Sequence, residues 1–252
     1  MNMSDTILKN RLRELAERAS VQNRYTFTDF LSESELSVYY EIKKELSYIN
    51  TALYGGAPGC DRQMIRFGSE ELFGYGQSFP ITCIKIEPVA EKFAGVLSHR
   101  DYLGALMHLG IEREVLGDIL IRGKHAYLFC MDTMAEYISN HLSQIGRTSV
   151  VCSLAEEIPK EATRELVAEH YILSSERLDL IVAKLCRLSR SESQKLFQDK
   201  RIFLNGKVTL QHSGKIEPED ILSVRGYGKY IFKGIIAETK KGNLRIEIMR
   251  YG

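Results

Sequence analysis

Apolar residues recur at intervals of three and four near the start of the chain. Residues 5–19 and 32–50 show this period, which is typical of amphipathic helices. Residues 53–80 are rich in glycine and proline and predict a structured loop that ends near position 80. We therefore predict a helical N-terminal domain over residues 1–80.

The pattern then alternates between the strand period of two and the helix period. Residues 81–158 predict one strand, a helix, two strands joined by a tight turn, a second helix and a last strand. We expect Asp132 to cap the second helix, because a side-chain oxygen at that position can accept from free backbone N–H groups. The order βαββαβ is that of ferredoxin-like and RNA-recognition-motif domains.

Two aromatic residues alternate onto one face of the third strand of this domain. Tyr127 and Phe129 could stack on bases, as aromatic residues do on the sheets of RNA-recognition motifs. Two aromatic residues on a strand are more commonly core residues, so both interpretations stay open. The βαββαβ order does not decide between them, because one fold serves many functions.

The last part of the chain predicts a small mixed domain. Residues 159–173 are expected to link it to the rest by a strand or a short helix, and residues 174–252 predict two short helices followed by two hairpins. The first hairpin turns at Asn205 and Gly206, a pair that tolerates positive φ in a two-residue turn. The complete chain is predicted to be α+β.

Composition describes an ordinary globular chain. Its 252 residues are 44% apolar and 27% charged, and no apolar run reaches the length of a membrane helix. The five cysteines lie at least 22 residues apart, without the paired spacing of a zinc site. We expect free thiols, no metal, no membrane partner and a cytoplasmic location.

Charge is distributed unevenly along the chain. Residues 174–252 contain 16 Lys and Arg against 9 Asp and Glu, a net charge of +7. Residues 1–173 therefore carry −6, since the whole chain carries +1. This asymmetry indicates a nucleic-acid partner at the C-terminal end.

The basic segment of residues 177–197 separates its cations from its core positions. At 100° per residue, the apolar positions of the first predicted helix share one arc, while Arg177, Lys184 and Arg187 lie within about 80° on another. Ser189 and Glu192 have the spacing of a capping box at the start of the next helix. The free N–H groups there, together with Arg190, favour phosphate binding.

Three motifs in this region resemble the S4-like RNA-binding domain: RLD at 177–179, LSRS at 188–191 and LNGKV at 204–208. Upstream, LYGGAPGCDRQMIRF at 53–67 and LSHRDYLGALMHLGIEREVLGDILI at 97–121 resemble the YlmH family of bacterial S4-domain proteins. One departure is Asp61, where the family pattern has Glu. With these stretches the resemblance spans nearly the whole chain.

The resemblance implies a non-enzymatic factor that binds RNA on the large ribosomal subunit, both rRNA and peptidyl-tRNA, in quality control of stalled translation. It implies no cofactor and no small-molecule substrate. The RNA contacts carried over from it, with those suggested by the charge pattern, are Arg177, Lys184, Arg187, Ser189, Arg190, Ser191, Gln194, Lys195, Arg201, Asn205 and Lys207.

Two alternatives remain, an RNA-modifying enzyme that uses the S4-like domain for targeting and an adaptor for cell division. Against an enzyme, HRD at 99–101 lacks the other motifs of a kinase, and FGYGQSF at 73–79 lacks the helix that follows a nucleotide-binding glycine turn. An adaptor would instead present a large apolar patch on residues 1–80.

Overall fold

The computed structural model describes residues 3–155, 158–162, 166–240 and 242–251. These residues form helices and three antiparallel sheets, which confirms the α+β class. The chain divides into two compact units, Met1–Arg164 and Glu165–Gly252. Among the described residues, no helix is both long enough and apolar enough to cross a bilayer.

The first part of the N-terminal unit combines helices with a small sheet of order β1-β3-β2. Its elements are α1 (Met3–Gln22), β1 (Thr26–Phe27), α2 (Glu33–Ile42), β2 (Thr51–Tyr54), β3 (Met64–Phe67) and α3 (Glu70–Phe73). The helix predicted over residues 32–50 is therefore shorter than expected. The chain continues from α2 in turns whose buried Leu46 and Ile49 still pack on α1, which explains the apolar spacing.

The second part of this unit confirms the predicted βαββαβ order and adds one short strand. Its sheet has the order β5-β6-β4-β8-β7. The elements are β4 (Ile81–Pro88), α4 (His99–His108), β5 (Leu116–Arg122), β6 (His125–Met131), α5 (Asp132–His141), β7 (Gln144–Ile145) and β8 (Thr148–Leu154).

The expected cap at Asp132 is wrong by one position. Met131 is the N-cap of α5, and Asp132 is its first helical residue. The carboxylate of Asp132 accepts a hydrogen bond from the Thr82 hydroxyl at 2.6 Å, so it ties the helix start to β4.

Both faces of this sheet are used for packing. One face packs on α4 and α5, with Ile84 and Leu128 in its core. On the other face Tyr127 and Phe129 lie in a second core with Phe30 and Met64 from the preceding part of the chain. Tyr127 is 6% exposed and Phe129 is fully buried, so the core interpretation of these aromatic residues is confirmed.

Gly56 shows why the Gly-rich loop can cover this face so closely. Its φ is +101°, and a Cβ there would lie 2.2 Å from the Phe129 ring. Asp118 holds the same loop by accepting from the backbone N–H groups of Asp61 and Arg62, at 2.7 and 3.1 Å. The chain before and after position 80 therefore shares one core.

The C-terminal unit packs two helices on one face of a sheet with the order β11-β10-β12-β13-β14-β9. The elements are β9 (Leu166–Leu173), α6 (Leu178–Cys186), α7 (Arg190–Gln198), β10 (Ile202–Leu204), β11 (Lys207–Val208), β12 (Ile221–Val224), β13 (Gly228–Glu238) and β14 (Leu244–Tyr251). Residues 166–173 fall in the range expected to be a linker, yet they pair with β14 along eight residues.

The two predicted hairpins are present in this unit. Asn205 and Gly206 have φ values of 50° and 76°, the positive values that a tight two-residue turn requires. In β14 the alternation is also as expected, since Ile246 and Ile248 are buried in the core beneath α6 and α7.

We expect Tyr127→Ala to lower the free energy of unfolding by about 3 kcal/mol, because truncating a buried aromatic residue leaves a cavity. Urea unfolding will measure the change, with Tyr137→Ala, an exposed position of α5, as the matched control. RNA affinity should stay within twofold of the wild type. A variant of normal stability that loses RNA affinity would restore the stacking interpretation.

Candidate nucleic-acid interface

A buried carboxylate organises the two helices of the C-terminal unit. Asp179, in the first turn of α6, has no solvent exposure. It accepts two hydrogen bonds from Arg177, at 3.0 and 2.9 Å, and one from the backbone N–H of Leu180. The Arg190 Nε lies 3.4 Å from the same carboxylate. Two guanidinium groups from different helices therefore converge on one negative charge.

The same residue also joins the helices through its backbone. The buried hydroxyl of Ser193 donates to the Asp179 carbonyl oxygen at 2.8 Å. The backbone N–H of Asp179 donates to the His212 carbonyl oxygen at 2.8 Å. The position of Arg190 relative to Arg177 is thus fixed by side-chain and backbone contacts of a single residue.

Burial and ion pairing act on the pKa of Asp179 in opposite directions. Burial raises it, while the hydrogen bonds and charge of Arg177 and the charge of Arg190 lower it, and the net result is a pKa below the usual range. The group therefore stays ionised at neutral pH. With two guanidinium groups and one carboxylate, this cluster carries a net positive charge, and the Arg190 side chain is 60% exposed.

Helix α7 begins as the sequence predicts. The backbone N–H of Glu192 donates to the Ser189 hydroxyl, and the Glu192 carboxylate accepts from the Ser189 N–H at 2.8 Å. Glu192 is therefore occupied by the cap, and these contacts lower the pKa of its carboxyl.

The solvent face of α7 carries four of the eleven predicted RNA contacts. The buried positions of this helix are Ser193, Leu196 and Phe197. At 100° per residue, an arc of about 140° on the other side contains the remaining polar positions apart from Glu192. They are Arg190, Ser191, Gln194, Lys195 and Gln198.

Lys184 and Arg187 lie elsewhere, along a groove between β9 and α6. The groove is also lined by Tyr171, Ile172 and Leu188. In the described part of the chain, Lys184, Arg187 and Lys195 form no ion pair. These cations are available to an anionic partner, but the structure does not place Lys184 and Arg187 beside the Asp179 cluster.

Arg201 belongs to a third group at the end of the sheet. Its Nη2 donates to the Arg225 carbonyl oxygen at 2.7 Å, and its guanidinium carbon lies 5.9 Å from the centre of the Tyr227 ring. Arg225 in turn lies 5.3 Å from the ring centre of Phe203. Arg225 was not among the predicted residues, because a single Arg in a turn gives no signal until strand pairing brings it beside Arg201.

The side chain of Asn205 serves the turn. Its amide N–H donates to Asp220 at 2.8 Å, and its amide oxygen accepts from the backbone N–H of Ile221 at 2.9 Å. Lys207 follows it as an exposed residue of the short strand β11. A direct contact of either residue with RNA stays a prediction, as it does for the other predicted positions.

The cysteines are all free thiols, as expected. Burial raises the pKa of Cys83 to about 11, and burial together with the nearby Asp132 carboxylate raises that of Cys130 to about 12. These groups are protonated at neutral pH. Within the described ranges, no group of three or more His, Cys, Asp or Glu side chains could hold a metal ion.

We expect Asp179→Asn to lower the free energy of unfolding at pH 7 by about 2 kcal/mol, because the contacts of its carboxylate are weakened. A lowered folded-state pKa gives stability that is present above the ordinary value of about 3.9 and is lost as pH falls through the folded value.

Urea unfolding between pH 3 and pH 7 measures this effect. The difference between the wild type and Asp179→Asn should shrink below about pH 4. Asp199→Asn, at the exposed C-cap of α7, is the matched control and should change little. A difference that is independent of pH would show that ionisation of Asp179 does not stabilise the fold.

Comparison with known proteins agrees with the sequence motifs. Residues 76–158 match the family model described as "Putative RNA-binding domain in YlmH". The "Ribosome-associated protein quality control protein P2" of Bacillus subtilis is 28% identical over 233 residues, covering 91% of this chain and 88% of that protein. The solved structure of the "Cell division protein ylmH from Streptococcus pneumoniae" covers 62% of this chain and 93% of its own, with 16% identity and a TM-score of 0.49. The chain is thus similar to the YlmH family model over residues 76–158 and to the Bacillus subtilis protein over most of its length, in agreement with its sequence motifs.

Proposed function

We propose that this protein is a non-enzymatic RNA-binding factor of the cytoplasm that associates with the large ribosomal subunit. In this proposal it contacts rRNA, and peptidyl-tRNA where one is bound, and acts when translation has stalled. The observation that carries it is the cluster in which Arg177 and Arg190 share the buried Asp179. The name of the Bacillus subtilis relative supports the ribosomal setting.

A fixed array of cations makes this surface suited to binding phosphate. Guanidinium groups bind phosphate oxygens well because several N–H donors point in one plane. Here two of them are oriented before any ligand arrives, so less side-chain entropy is lost on binding. Lys195 and Gln194 extend the surface along α7.

Both alternatives make distinct demands. An enzyme that modifies RNA would show turnover, whereas we propose none for uridine or for S-adenosylmethionine. An adaptor would need a large apolar patch on residues 1–80. The exposed large apolar residues described there are spread over α1, the turns after α2, and α3 with the loop that follows. They are Met3, Ile7, Val21, Tyr48, Leu72 and Tyr75.

We expect Arg190→Glu combined with Lys195→Glu to abolish association with large ribosomal subunits, because the charge of the α7 surface is reversed. Sedimentation of cell extracts on sucrose gradients measures this. The purified variant should still unfold cooperatively, although at a lower temperature than the wild type, because Arg190→Glu removes one of the two cations beside the buried Asp179. A cooperative transition well above the assay temperature shows that lost association is not caused by unfolding.

A matched control reverses two exposed cations of the N-terminal unit, Arg24→Glu with Lys44→Glu. The change in net charge is identical, so this control tests whether the charge change by itself weakens association. This control should co-migrate with large subunits as the wild type does. Normal co-migration of the Arg190 and Lys195 variant would contradict the proposed site.

The dependence of binding on salt gives an independent test. If about five phosphates are neutralised, log K should fall against log salt with a slope of roughly −3.5 to −4.5. Fluorescence anisotropy with labelled RNA, at salt concentrations from about 50 to about 300 mM, measures the slope. A slope near zero would instead indicate an adaptor that binds protein alone.

A further inference from the structure

The domain that matches the RNA-binding family model cannot use the buried aromatic residues of its sheet. Tyr127 and Phe129 face Phe30 and Met64 in the shared core. Stacking on RNA by this domain would therefore use an exposed aromatic residue elsewhere. The loop between β4 and α4, residues 89–98, lies inside the range that matches the family model and carries such a residue.

This loop presents three large apolar side chains to solvent. Val89 is 67% exposed, Phe93 is 84% exposed and Val96 is 85% exposed. A single exposed apolar residue is ordinary, but three within eight positions on one loop suggest a contact surface. Phe93 is the most exposed aromatic residue described in the structure.

The loop is held in place by the hairpin between β5 and β6. Lys124 Nζ donates to the Glu91 carbonyl oxygen at 2.7 Å, and His125 Nε2 lies 3.7 Å from the Glu91 carboxylate. Residues Glu91–Phe93 form one turn of 3-10 helix. Phe93 is thus carried on a short, anchored turn, which limits the entropy lost when its ring binds a partner.

One cation lies beside the exposed ring, and another is close to it in the sequence. Lys92 Nζ lies 5.9 Å from the centre of the Phe93 ring. His99 and Arg100 are exposed in the first turn of α4. The nearby acid Asp101 is already engaged, since its carboxylate accepts from the Ser98 N–H and hydroxyl, both at 2.7 Å.

We propose that residues 89–98 bind single-stranded RNA, with Phe93 stacking on an unpaired base and with Lys92 and Arg100 contacting phosphates. This inference rests on the proposed function. Proteins that bind single strands combine exposed aromatic rings with cations, because every base offers a π-face and every nucleotide carries a phosphate. A protein partner could use the same residues, and it is distinguished below by an effect on ribosome co-sedimentation without an effect on RNA affinity.

Fluorescence anisotropy of the full chain with a labelled oligouridine of about 12 nucleotides tests this, a length that spans a typical single-strand site. We expect Phe93→Ala to weaken binding about tenfold, within the range for one base–aromatic stack. Phe93→Trp should restore the affinity. Thermal unfolding should be unchanged, because the ring is exposed.

Tyr137→Ala is the matched control. It removes an exposed aromatic residue of the same domain whose hydroxyl reaches the Leu109 carbonyl oxygen, just past the end of α4. The loop joins the opposite end of that helix, about 15 Å away for ten residues. This variant should bind oligouridine as the wild type does.

The Arg190→Glu and Lys195→Glu variant, measured in the same series, separates the two proposals. Loss of affinity in Phe93→Ala supports the loop, whether or not the charge-reversal variant also weakens. Unchanged affinity in Phe93→Ala overturns the loop, and the charge-reversal variant then decides the proposed function separately. If Phe93→Ala loses ribosome co-sedimentation but keeps its RNA affinity, the loop proposal is also overturned, since the loop would then contact a protein.

Discussion

The shared ion pair at Asp179 is the interaction on which the C-terminal unit depends. A carboxylate without solvent exposure is costly unless its charge is compensated, and here Arg177 and Arg190 compensate it from two helices. The same contacts set the angle at which α6 and α7 meet, because Ser193 bonds to the Asp179 backbone. Stability and the orientation of the surface cations therefore have one cause.

Because two Arg residues share one acid, this ion pair leaves positive charge for binding phosphate. An Arg that is paired with an acid would usually be a poorer partner for phosphate, because its charge is partly neutralised. Two Arg residues sharing one acid retain a net positive charge and lose much of their rotational freedom. We interpret the Asp179 cluster as an arrangement that positions cations, and on α7 it is joined by Lys195, which pairs with no acid among the residues that the structure describes.

In the N-terminal unit, the aromatic residues of the βαββαβ sheet serve packing. Its βαββαβ sheet has aromatic residues where RNA-recognition motifs have theirs, but Phe30 and Met64 cover them. The glycine at position 56 allows that cover, since any Cβ would collide with Phe129. Packing has thus occupied the usual surface, and the exposed Phe93 lies on a loop instead. The fold alone would have pointed to the wrong side chains.

Local signals made most of the elements predictable from the sequence. The capping box at Ser189 and the turn at Asn205 depend on residues only a few positions apart, and both are present. The pairing of Leu166–Leu173 with β14 was not predicted, because these residues were expected to be a linker and β14 lies about 80 residues later, as the register Leu166 with Tyr251 shows. The cap predicted at Asp132 was wrong by one residue, since Met131 is the N-cap and the Asp132 carboxylate accepts a hydrogen bond from Thr82.

The candidate site was predictable in its composition but not in its arrangement. Charge counting and helix spacing found the cations of α6 and α7. They could not show that Asp179 gathers Arg177 and Arg190 while Lys184 faces a groove beside β9. Such groupings arise from tertiary contacts, and so does the pairing of Arg201 with Arg225 at the sheet end.

The most direct test of the account is photo-crosslinking in living cells, followed by identification of the crosslinked peptides and of the RNA attached to them. If α7 is the RNA-binding surface, crosslinks to large-subunit rRNA will fall within residues 187–201, on and beside α7. Crosslinks confined to α1 and α2, with none on α7, would contradict it.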